Sequence, residues 1–273
     1  MKQILIVSAL VSTMAMLVAT SNGGAQIYGA TCLRSSVSGP GCFDRVEFDA
    51  SSSVSPKRLP KRDLTPIALT IRGEIGLESG GHPPALREGI VDTDKDVTID
   101  TVGLPACPLR RLRSLGTAEA RQACREAIVG AGVAHIGFTS SEDKVTAPLT
   151  FFNGGTSDGT TRLFVHSAIA IPDPVSVIAV AKIRRRGTGL ETTWRIPPIL
   201  EGDGSLVDFR AKINRRFRTR GERQSYISAR CPDEEFRAKI LKALFRNETH
   251  APGEPAQTML KGSLSIPCAV PSG

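Results

Sequence analysis

The stretch IALTIRGEIGL, residues 67–77, decides the fold. Ile67, Leu69, Ile71, Ile75 and Leu77 fall on one side of an extended chain. Ala68, Thr70, Arg72, Glu74 and Gly76 fall on the other. Side chains on a strand alternate between faces, so this pattern predicts a strand with one dry and one wet face. Gly73 lies on the apolar side, where it is expected to mark a bulge or bend.

Working outward, the same kind of run recurs. VAHIGF, APLTFF, TTRLFVHSAIAI, VSVIAVAKI, LETTWRI, SLVDFRAKI, SYISARC and MLKGSLSI all read as strands. Turn signals separate them: Asn153-Gly154-Gly155, Pro172-Asp173-Pro174, Gly187-Thr188-Gly189, Gly202-Asp203-Gly204 and Arg220-Gly221. FRAKILKALF suits either period; its neighbours assign it to a strand. ALREGIVDTDKDVTIDTVGL, residues 85–104, reads as a hairpin about a polar DTDKD turn. One segment changes period. GTAEARQACREAIVG, residues 116–130, has Thr117 as a candidate N-cap and Gly130 as a terminator. Ala120, Cys124 and Ile128 recur every four residues and would face the core. Many short strands with regular turns predict an all-β, antiparallel β-sandwich of one large or two packed sheets, with one short helix near 117–129.

The N-terminus reads as an export signal. Met1 and Lys2 precede an apolar run from Ile4 to Ala19, shorter than the roughly 20 residues of a spanning helix. Gly23-Gly24-Ala25 fits a small-x-small cleavage site. The expected organisation is a signal peptide at 1–25, a flexible N-terminal segment and linker at 26–63, and a β-sandwich at 64–268, as one unit or two divided near 140. No second run is long and apolar enough to span a membrane, and the expected location is secreted or exposed on the cell envelope.

Six cysteines, Cys32, Cys42, Cys107, Cys124, Cys231 and Cys268, are an even number in an exported chain and read as three disulfides. Six allow 15 pairings. Locality favours Cys32–Cys42, Cys107–Cys124 and Cys231–Cys268. No C-x-x-C occurs, so a thioredoxin-like redox site or a cysteine-rich zinc site is not expected.

The formal net charge is +8, carried mainly by arginine. Its densest concentration is INRRFRTRGERQS, residues 213–225, with Arg215, Arg216, Arg218, Arg220 and Arg223 around Gly221. The plain reading is a long hairpin with a solvated tip, where exposed charge also discourages edge-to-edge aggregation. The functional reading is a docking surface for an anionic envelope polymer or headgroup, with Arg184, Arg185 and Arg186 adding to it if the two turns share a side. Specific nucleic-acid binding is not expected. Phe217 is the only aromatic side chain in the run, and no nucleic-acid motif appears.

Other chemistry is sparse. His135 and His166 lie in strand-like runs, without the H-x-H or H-E-x-x-H spacing of a metal pair, so no metal is assigned. Asp92, Asp94, Asp96 and Asp100 resemble the start of a calcium loop, but Val97 and Gly103 stand where glycine and a bidentate glutamate belong. The acids therefore read as a polar turn or, at most, a loose cation site. FFNGGTSDGTT lacks the lysine of a phosphate-cradling loop, and no G-x-S-x-G occurs. Trp194, Tyr28 and Tyr226 are few platforms for a carbohydrate module. GGHPPALRE, residues 80–88, is a stiff connection or recognition loop, and Asn247-Glu248-Thr249 fits a glycosylation sequon. The leading expectation is a non-catalytic binding or structural protein needing no cofactor. The alternative is a secreted hydrolase with a loop-built site around His82 or His166 and an acid.

HPPALRE, GLPACPLRRL, ARQACREAIVGAGVAHIGF, PLTFFNGG, TTRLFVHSAIAIP, and ARCPDEEF with the later SIPC resemble a family of exported actinobacterial proteins. The resemblance runs from about Pro56 to Cys268 and omits Ala25 to Ser55. It implies a β-rich core with four cysteines matching Cys107, Cys124, Cys231 and Cys268, and supports their local pairing. It carries architecture and location, and no activity.

Overall fold

The computed structural model describes residues 25–35, 42–139, 141–170, 174–246 and 257–270. Residues 1–24, where the export signal is expected, most of the Pro172 turn and the Asn247 sequon lie outside the described residues, as do the side chains of Cys32 and Cys42 and hence their pairing.

Nearly everything is strand. In chain order these are β1 (Ala25–Ser35), β2 (Cys42–Ser55), β3 (Thr65–Pro66), β4 (Ala68–Leu77), β5 (Ala85–Thr93) and β6 (Val97–Ile99). Two short helices follow, α1 (Leu109–Leu112) and α2 (Thr117–Ala123). Then come β7 (Ile128–Phe138), β8 (Ser141–Ser157), β9 (Thr160–Ile169), β10 (Val175–Arg186), β11 (Gly189–Arg195) and β12 (Gly204–Ile213). The chain ends with β13 (Arg216–Thr219), β14 (Glu222–Ser225), β15 (Ile227–Ala229), β16 (Glu235–Arg246) and β17 (Gln257–Pro267). FRAKILKALF is a strand, as its neighbours implied.

Twelve strands form one sheet in the order β1-β2-β4-β12-β7-β8-β9-β10-β11-β5-β16-β17, with every pairing antiparallel. The sheet curls until β1 lies against β17. Its apolar faces then pack on each other as the two layers of a sandwich do. Val46, Phe48 and Ile75 from β2 and β4 cluster with Ala243, Phe245 and Leu260 from β16 and β17. The all-β, antiparallel, disulfide-braced class is thus realised by one curled sheet. β12 sits between β4 and β7, so the sheet interleaves segments from both sides of residue 140.

The opening stretch keeps its alternation as β4, between β2 and β12. Gly73, however, makes no bulge; both ladders run through it in unbroken register. A Cβ there would stand 2.4 Å from the ring of Phe209. The glycine is a slot for an aromatic ring from the next strand.

The lead-in also differs from its reading as a flexible linker. Residues 46–55 pair along β4. Beyond them Leu59 N donates to Ala269 O at 2.8 Å, Ala269 N to Lys57 O at 2.9 Å, and Cys231 N to Pro60 O at 2.8 Å. Leu59 is wholly buried, and burying its side chain among Val54, Ile67 and Tyr226 outweighs the solvation of the flanking lysines and arginines. With the small sheet β3-β15-β6 this segment plugs one end of the curl. The Cys231–Cys268 disulfide staples the plug.

The expected 85–99 hairpin does not form. β5 is paired on both edges, by β11 and β16, so β6 crosses to β15. Near residue 117 there are two helical turns rather than one helix of thirteen residues. Gly116 takes the N-cap position, Thr117 makes no capping hydrogen bond, and Gly130 is already inside β7. Ala120, Cys124 and Ile128 do face the core. They pack with Phe152 and Phe164 on the outer face of β8 and β9, clipped by the Cys107–Cys124 disulfide.

Candidate anion-docking face

The arginine run forms its own hairpin, β13–β14, around Arg220 and Gly221, both at positive φ (49° and 81°). That is the turn geometry that matches strand twist in two-residue hairpins. Phe217 pairs with Gln224 and Thr219 with Glu222 on one face. Phe217 packs on the core, and Thr219 lies over Gly103, where a Cβ would come within 2.2 Å of its Oγ1. That face is held to the body, so Arg216, Arg218 and Arg223 point away from it. Arg218 stands directly opposite Arg223. Like charges in that position repel.

The other arginines differ in their surroundings. Arg215 Nη2 lies 3.5 Å from Glu126 Oε2 and donates to the Glu126 carbonyl at 3.4 Å, fastening the hairpin root to the helical layer. Arg186 is ion-paired with Glu191. Arg184 Nε donates to Thr160 Oγ1 at 2.9 Å. Arg185, Arg216, Arg218, Arg220 and Arg223 are exposed and have no ion-pair partner among the described residues. The antiparallel order places the β10–β11 turn, the end of β12 and the plug at the same end of the sheet. Both basic turns therefore project from that end.

The histidines scatter. His82 Nε2 donates to the Gly137 carbonyl at 2.9 Å. His135 Nδ1 meets Asp208 Oδ1 at 2.7 Å on the outer face. His166 is fully buried under the helical layer; Nε2 donates to the Leu115 carbonyl at 2.9 Å and lies 3.0 Å from Ser176 Oγ. Desolvation lowers the His166 pKa below its ordinary value, against a smaller upward pull from the Leu115 hydrogen bond. No carboxylate bonds to His82 or His166, and no hydroxyl bonds to His135, among the described residues.

The acidic turn has structural partners. Asp94 Oδ1 accepts Asp96 N at 2.9 Å, and Asp100 Oδ1 accepts Val102 N at 2.9 Å. Asp96, buried, receives Arg230 Nε at 2.7 Å on its carboxylate and Arg230 N at 3.0 Å on its carbonyl. This clamp ties the β5–β6 crossing to β15. Its partners are 134 residues apart, and no local pattern joins them. Among the described residues no three His, Cys, Asp or Glu side chains converge as a metal site.

Comparison with protein-family models, curated proteins and solved structures finds no match to this chain.

Proposed function

We propose that this protein is an exported, non-catalytic binding protein whose plug-end arginines dock on an anionic polymer or headgroup of the cell envelope. The observation that carries the reading is the placement of Arg218 opposite Arg223, flanked by Arg216 and Arg220, with none of the four in an ion pair among the described residues. Arginines left to repel one another lose that repulsion when a polyanion sits between them. The two intramolecular disulfides and the absence, among the described residues, of a helix long and apolar enough to cross a membrane are compatible with an exported location.

The test is salt-gradient elution from immobilised polyphosphate. A variant carrying glutamine at Arg216, Arg218, Arg220 and Arg223 is expected to elute at clearly lower salt, while glutamine at Arg72, Arg110 and Arg121 changes elution only slightly. Equal effects of the two variants would mean that retention follows net charge alone, and the docking face would be abandoned.

A further inference from the structure

We infer, building on the docking reading, that the anionic partner of the arginine face is a phospholipid bilayer, which the apolar loop at residues 102–108 enters beside the hairpin. The loop reads VGLPACP, and no charged residue stands between Thr101 and Leu109. Leu104 and Cys107 are buried, while Val102, Pro105, Ala106 and Pro108 are exposed. At 67% exposure Val102 exceeds Leu64 and Met259, the other exposed large apolar side chains among the described residues. A single exposed apolar residue on a protein surface is ordinary, but a loop with no polar side chain on its outer side is a different case.

The loop is held in one shape. Leu104 N returns to Thr101 O at 3.1 Å, Asp100 Oδ1 accepts Val102 N at 2.9 Å, and Gly103 closes the turn at φ 79°, so Val102 stands at its apex. Asn153 is wholly buried; its Nδ2 donates to the carbonyls of Leu104 at 3.3 Å and Pro105 at 3.0 Å, and its own carbonyl accepts Cys107 N at 2.8 Å. The Cys107–Cys124 disulfide fixes the far end. A preformed loop gives up little conformational freedom when it is covered. Thr219 of the hairpin lies against Gly103, and Thr101 Oγ1 meets Thr156 Oγ1 at 2.9 Å just before the β8–β9 turn. That turn lies beside Arg184 of β10, so the loop projects from the same end as Arg185, Arg216, Arg218, Arg220 and Arg223. Asp158 and Glu222 are exposed there too and leave the balance positive.

One partner satisfies both features. A bilayer with anionic head groups offers phosphates to the guanidinium groups and hydrocarbon to Val102 at adjacent depths. A soluble polyanion would neutralise the arginines and leave the loop in water. A second copy meeting through the same end about a two-fold axis would set arginines against arginines, which repel. Attachment of this kind is reversible and salt-sensitive. One apolar tip contributes far less than a spanning helix, and the arginine contribution falls with screening.

The full chain, with its disulfides intact, is sedimented with vesicles of phosphatidylcholine containing phosphatidylglycerol and with vesicles of phosphatidylcholine alone. The neutral vesicles measure what the apolar Ile4–Ala19 run contributes. Stronger binding to the anionic vesicles is expected. Val102→Ser should weaken that binding about tenfold, the share of two methyl groups withdrawn from the interface, and Val102→Leu should strengthen it about fourfold. Neither is expected to shift elution from polyphosphate, and because Val102 is exposed both should keep the wild-type melting temperature. Glutamine at Arg216, Arg218, Arg220 and Arg223 should weaken both kinds of binding, to vesicles by at least about a hundredfold at low salt. Equal sedimentation of the wild type with the two kinds of vesicle overturns the bilayer, even where polyphosphate retention holds. Anionic-vesicle binding that is indifferent to both Val102 variants overturns entry of the loop. Loss of polyphosphate retention without loss of vesicle binding in the arginine variant overturns the shared surface.

Discussion

Individual residues in this chain serve positions that their local sequence does not announce. Gly73 is the clearest case. It follows strand alternation in every respect, yet its missing side chain is occupied by the ring of Phe209. Gly73→Ala is expected to cost about 1–3 kcal/mol in a denaturant titration through overpacking, and a paired Phe209→Leu substitution should recover part of the loss. His166 is a second case. Its buried ring has one bonded nitrogen, while Nδ1 has no partner. Because burial lowers its folded pKa below 6.5, the unfolded chain binds the proton more readily. The contribution of the neutral ring is therefore complete above pH 6.5 and is lost as pH falls from there toward the folded pKa. Thermal melts of the wild type should drop in this range, and His166→Gln should flatten that part of the curve.

At the scale of elements, two devices hold segments that propensity alone would leave loose. The helical layer is too short to persist by itself, as isolated helices below about 12 residues are marginal in water. It depends on Phe152 and Phe164 beneath it and on the Cys107–Cys124 link across 17 residues. Replacing both cysteines by serine is expected to cost about 3 kcal/mol and to accelerate amide exchange in 109–123 ahead of the sheet; uniform acceleration throughout the molecule would contradict a local clamp. The basic hairpin behaves in the opposite sense. Arg218→Thr removes a cross-strand repulsion and is expected to stabilise the protein by roughly 0.2–1 kcal/mol at low salt while weakening polyphosphate retention. A variant that lost both stability and retention would show that Arg218 acts in packing.

At the scale of the molecule, closure is the organising fact. A twelve-stranded sheet with open ends would expose both edge strands, and β1 lying against β17 shields each edge with the other. A chain lacking residues 25–55 would leave one edge of β4 bare and withdraw Val46, Phe48 and Val54 from two apolar clusters. It is expected to aggregate at concentrations where the full chain stays monodisperse by light scattering, and a stable, monodisperse truncation would show that the core is complete without them.

The amino-acid sequence by itself determined the strand faces and the hairpin at Arg220-Gly221, because alternation and turn chemistry act over short spans; locality only favoured the two described disulfides, and only the neighbouring strands favoured the extended state of FRAKILKALF. Only the tertiary structure decided what those elements pair with. β6 leaves β5 because both edges of β5 are already taken; Leu59 becomes core because the plug end is open to it; Asp96 finds Arg230 across 134 residues. Each of these rests on contacts between segments far apart in the chain, and such contacts exist only once the sheet has curled and brought its two ends together.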